Sequence, residues 1–62
     1  MKSKLYKNNA FVTFEKTESN SNRWYEVRLR APSGELHDKV RCDDYQSALG
    51  YWKSFNAIAR NM

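Results

Sequence analysis

A chain of 62 residues is short for a hydrophobic core, and its nine aromatic residues are the means of building one, since each ring removes much surface from water. Eleven lysines and arginines against 7 acidic residues give a net charge of +4, which suits polyanionic partners and disfavours basic ones. The lone Cys42 excludes an internal disulfide framework and favours a reducing compartment, and no apolar run is long enough for a membrane span or a signal peptide.

These features predict a soluble, cytoplasmic protein with no membrane association, one domain over residues 1–62. Residues 1–9 place Lys2, Lys4 and Lys7 ahead of any carboxylate, which predicts a basic N-terminal arm, either mobile or simply frayed. Residues 10–16 alternate Val12 and Phe14 against Phe11, Thr13 and Glu15, the pattern of a first strand. The six polar residues at 17–22 predict a flexible hairpin loop.

A second strand is expected over residues 23–30 and a third over 35–42, joined at Ala31-Pro32-Ser33-Gly34 by a turn with proline in second and glycine in fourth place. A four-residue loop pairs Arg30 with Glu35 and predicts Leu29 opposite Leu36, Tyr25 opposite Val40, Glu26 opposite Lys39, Arg28 opposite His37 and Trp24 opposite Arg41. Val27 then faces Asp38, an inward charge of the kind that discourages edge pairing.

Beyond Cys42 the period becomes helical. Asp43, with Gln46 closing a capping box, starts a helix over residues 44–60. Its core stripe comprises Tyr45, Ala48, Leu49, Trp52, Phe55 and Ala59. The predicted fold is α+β, a three-stranded antiparallel sheet packed on one C-terminal helix (βββα). The stripe meets Val12, Phe14, Tyr25, Val27, Leu29, Leu36 and Val40. Gly50 inside the helix suggests close approach of another surface, because glycine there costs about 1 kcal/mol relative to alanine.

No residue set points to catalysis. His37 and Cys42 alone cannot make the usual zinc site, Cys42 reads as a small buried hydrophobe, and no glycine loop cradles a phosphate. The expectation is a non-enzymatic protein without cofactor or metal. On the uncovered sheet face, Trp24, Arg28, Arg30, His37, Lys39 and Arg41 stand with two acids, Glu26 and Glu35, each opposite a cation. One reading is a solvated face of cross-strand ion pairs. The other is a nucleic-acid-binding platform, in which Arg28 and Arg41 lack carboxylate partners and Trp24 supplies stacking area, with DNA preferred to RNA.

The run "RWYEVRLRAPSGELHDKVRCDDYQSALGYW" resembles, in its order of tryptophan, turn, third strand and helix, the arm-binding N-terminal domain of phage and transposon tyrosine recombinases. The resemblance spans about residues 11–55. It implies a sheet backed by a helix, with Trp24, Arg28, Arg30, His37, Lys39 and Arg41 meeting DNA in the major groove. Glu35 and Asp38 depart from that family's strongly basic third strand. The alternative is a small adaptor or inhibitor, such as phages encode, that binds a host protein or forms a homodimer through a second apolar helix line of Tyr51, Phe55, Ile58 and Met62. That line could instead pack on Leu5 and Tyr6.

Overall fold

The computed structural model describes all of residues 1–62. Three tight turns organise the chain into an antiparallel sheet of order β1-β2-β3-β4. Its strands are β1 (Lys2–Leu5), β2 (Phe11–Ser19), β3 (Asn22–Arg30) and β4 (Leu36–Cys42), followed by α1 (Tyr45–Arg60). The α+β class is as expected, but the sheet has four strands rather than three. The N-terminal segment read as an arm is β1, paired to β2 with Lys2 opposite Phe14 and Leu5 opposite Phe11.

The first and third turns share one design. Tyr6 N–H donates to Ala10 O and Asn9 N–H to Tyr6 O, both at 2.9 Å; likewise Ala31 N–H donates to Glu35 O and Gly34 N–H to Ala31 O, both at 2.8 Å. Asn9 (φ 75°) and Gly34 (φ 92°) hold the left-handed position that each three-residue loop requires, which asparagine and glycine adopt most readily. The second turn has only two residues, Asn20 (φ 51°) and Ser21 (φ 69°), between the paired Ser19 and Asn22. Two consecutive positive φ values match the right-handed twist of the flanking strands. The long loop expected at 17–22 is therefore strand on both sides of a minimal turn.

The β3–β4 register differs from expectation by two single-residue shifts. The glycine turn pairs Ala31 with Glu35 where a four-residue loop would pair Arg30 with it, so Arg30 faces Leu36. A bulge then leaves His37 without a partner, and Leu29 faces Asp38, Arg28 faces Lys39, Val27 faces Val40, Glu26 faces Arg41 and Tyr25 faces Cys42. Two odd shifts make an even one, so residues 38–42 keep their predicted faces while every predicted partner changes. Leu36, between the shifts, leaves the core and is exposed.

Val12, Phe14, Val27, Leu29 and Cys42 of the sheet meet Ala48, Phe55 and Ala59 of the helix, with Ala10 beside them. Phe14 centres an aromatic cluster, its ring centroid 5.7 Å from Tyr25 and Tyr45 and 6.2 Å from Trp52. The helix is capped by Asp44, whose Oδ2 accepts from Ser47 N–H at 3.0 Å; Asp43 and Gln46 do not make the cap. At the other end Asn8 Nδ2 donates to Ala59 O at 2.8 Å, while its Oδ1 accepts from Ala10 N–H at 2.7 Å. Tyr6 Oη donates to Asn56 Oδ1 at 2.5 Å, which satisfies a buried amide whose Nδ2 is bound to Trp52 O. A side chain at Gly50 would meet nothing within 4 Å, so no part of this chain accounts for that glycine.

Candidate nucleic-acid interface

The sheet face turned away from α1 is laid out in rows across the strands. Leu5, Phe11, Arg30 and Leu36 form one row, and Ser3, Thr13, Arg28 and Lys39 the next. Glu15, Glu26 and Arg41 form a third, and Thr17 and Trp24 end the face toward the second turn. Alternation brings these residues outward because their sequence neighbours Val12, Phe14, Val27 and Leu29 are buried. The cations all lie on β3 and β4, whereas β2 contributes Glu15. The positive charge is therefore skewed toward the β4 edge.

Glu26 organises this charge. Its Oε2 pairs with Arg28 Nη2 at 2.5 Å, and its Oε1 lies 3.4 Å from the indole Nε1–H of Trp24. Arg28, expected to lack a carboxylate, thus has one, and the pair is partly shielded from water. Arg41 forms no ion pair although it stands across from Glu26. Its Cζ lies 4.1 Å from the centroid of Trp24, a cation–π contact reached diagonally. Such contacts contribute about 0.5–1 kcal/mol when exposed and more when desolvated. The sequence predicts Arg41 directly opposite Trp24, and in the changed register the two meet diagonally.

The two acid–base pairs expected across β3 and β4 do not form. Lys39 stands opposite Arg28 rather than Glu26, and Arg30 Nη1 donates to Gly34 O at 3.2 Å instead of meeting Glu35. Arg28, Arg30, Lys39, Arg41 and Trp24 are gathered on one face, while His37 sits exposed on the bulge and out of register. Sequence reasoning omits Phe11, Thr13, Glu15 and Thr17 from the face, although the alternation in β2 assigns them to it.

Of the second candidate surface, Tyr51, Ile58 and Met62 are exposed, but Phe55 is buried and belongs to the core. Tyr6 joins the core and Leu5 does not. No three His, Cys, Asp or Glu side chains cluster as metal ligands would, and no helix is long and apolar enough to cross a membrane. Burial pushes the Cys42 thiol above its ordinary pKa, with Asp44 and Asp43 adding to the effect. Comparison with known protein families, curated proteins and solved structures finds no match to this chain.

Proposed function

We propose that this domain binds duplex DNA through the outward face of the β3–β4 ribbon. The observation that carries the reading is Arg41, held over Trp24 by a ring and without an ion-pair partner, beside Lys39, which is also unpaired. A guanidinium placed in this way keeps donors for phosphate or guanine, and the indole beneath it fixes its position. Because β4 is an edge strand, the side of the sheet that holds the cations is free at one edge, from which strands can enter the major groove of about 12 Å. The resemblance to recombinase arm-binding domains supports the same docking mode. The extra strand β1 lies at the opposite edge of the sheet.

Titration of labelled duplex DNA at several salt concentrations tests the reading. Lys39→Gln with Arg41→Gln should reduce the slope of log affinity against log salt by about 1.8, or about 0.9 for each phosphate that is no longer neutralised. Trp24→Ala should weaken binding with the slope nearly kept. A control that removes equal charge at the second turn, Lys16→Gln with Arg23→Gln, should change the slope by less than the value for a single phosphate. Equal losses of affinity in both double variants would reduce the sheet to bulk charge. No binding by the native protein at moderate salt would transfer the function to a protein partner at Tyr51, Ile58 and Met62.

A further inference from the structure

The charge of the chain is unevenly distributed. No carboxylate side chain precedes Glu15 or follows Asp44, so Lys2, Lys4, Lys7, Lys53 and Arg60 stand in segments free of acidic residues. The stretch between holds all 7 acidic residues and the other six cations, and its net charge is −1. The net charge of +4 therefore comes from the two ends of the sequence, which the fold brings together where the first turn bonds to α1.

Where they meet, a groove runs between β1 and the helix. Lys4, Tyr6, Trp52, Lys53, Asn56 and Arg60 line one part of it. The part beyond shares Lys4, Tyr6 and Arg60 and adds Lys7 and Asn8 with the apolar Leu5 and Met62. The polar groups at its floor are occupied, since Tyr6 Oη and the Asn56 amide bind each other and Trp52 O. The cations at its rim are not: none of Lys4, Lys7, Lys53 and Arg60 forms an ion pair or a side-chain hydrogen bond. Lys4 Nζ lies 5.3 Å from the Tyr6 ring centroid, which holds it at the groove.

We infer that this groove is a second binding surface, distinct from the sheet face, and that its occupant is a single phosphodiester strand of nucleic acid gripped by its backbone. Cations on both walls with a floor already hydrogen-bonded suit a chain of repeating anions, which requires positive charge at intervals and no readout of bases. An acidic peptide laid along the groove would need partners for its own amide groups, and the occupied floor provides none. The groove and the sheet face share Leu5 but no cation, so binding at either can fail separately.

The test uses labelled oligothymidylate and the full chain. Lys53→Gln with Arg60→Gln alters the helix wall, and Lys4→Gln with Lys7→Gln alters the wall formed by β1 and the first turn. All four side chains are exposed, so circular dichroism should be unchanged. Each double variant should lower the salt slope by about 1.4, or about 0.7 for each phosphate of a single strand. The sheet variant Lys39→Gln with Arg41→Gln and the hairpin-tip control Lys16→Gln with Arg23→Gln should each lower it by less than half as much. If either groove variant behaves like the hairpin-tip control, or the native protein does not bind oligothymidylate, the inference is overturned. It is also overturned if polyglutamate of matched charge competes as well as the oligonucleotide. A lowered slope in both groove variants alone supports the groove whether or not the sheet binds duplex DNA.

Discussion

Asn8 and Ala59, 51 positions apart, are joined by a hydrogen bond of 2.8 Å from the asparagine amide to the last full turn of the helix. Helix C-termini leave carbonyl groups without intrahelical partners, and Ala59 O accepts from Met62 N–H at 3.3 Å as well as from the first turn of the chain. Asn8→Ala also removes the acceptor for Ala10 N–H. It should cost about 1–3 kcal/mol, the penalty for leaving polar groups unsatisfied, as read from urea midpoints. A change within about 0.3 kcal/mol would mean that the first turn is not a structural part of the domain.

The second turn can be improved. Ser21 holds φ 69° with a side chain that gains nothing from that conformation, and asparagine followed by glycine is the preferred pair for such a turn. Ser21→Gly should stabilise the protein by about 0.5–1 kcal/mol. Gly34→Ala, at φ 92°, should destabilise it by at least about 1 kcal/mol although open space surrounds the site. Thermal midpoints of the two variants should therefore move in opposite directions.

Three aromatic rings lean on Phe14, which is only 3% exposed, whereas Trp52 is partly open to solvent. Phe14→Ala should cost about 3–5 kcal/mol and leave a domain of this size largely unfolded. Trp52→Ala should cost less, and the exposed Lys53→Ala almost nothing. Denaturant titrations that rank Trp52 above Phe14 would move the centre of the core to the helix.

The Ser47 amide holds the Asp44 carboxyl below its ordinary pKa. In the unfolded chain Asp44 titrates at the ordinary value, so the unfolded state takes up its proton first as acid is added. This contribution is complete above about pH 4 and disappears as pH falls through the depressed folded value. Asp44→Asn keeps a capping oxygen but removes the titration. As pH falls from about 5 through the depressed folded value, the native protein should lose more stability than this variant.

The Cys42 thiol shows the opposite dependence. Its raised folded value means that the unfolded state gives up the proton first, so stability falls as pH rises above about 8.5. Cys42→Ala should lack that part of the alkaline loss. In the native protein the thiol should react with iodoacetamide far more slowly than in urea.

Much of the architecture is legible in the residues themselves. Buried and exposed positions alternate in β2 and β3, and the change to a helical period after Cys42 is unmistakable. Three features escape for separate reasons. β1 is four residues long with lysine at its first and third positions, so it carries no apolar alternation. The polar ends of β2 and β3 read as loop because Asn20-Ser21 lacks the glycine that marks a two-residue turn. The β3–β4 pairing misleads because an arrangement matched in character, with leucine on leucine and acid on base, looks correct at a register displaced by two. The consequence for the candidate site is specific: alternation places Trp24, Arg28, Arg30, Lys39 and Arg41 on one face but not the bulged His37, and the Glu26–Arg28 pair lies along one strand, where no opposed-pair argument can find it.

The strand order β1-β2-β3-β4 means that each strand pairs with its neighbour in sequence through a turn of two or three residues. Chains built from such nearby contacts reach their transition states with little loop-closure entropy spent, and they fold quickly. The helix adds contacts of longer range, and the longest are its bonds to the first turn, which close nearly the whole chain into a ring. These contacts of greatest separation are expected to form after the hairpins. Breaking them should accelerate unfolding and leave the folding rate nearly unchanged, so the Asn8–Ala59 bond sets how long the folded domain persists rather than how fast it forms.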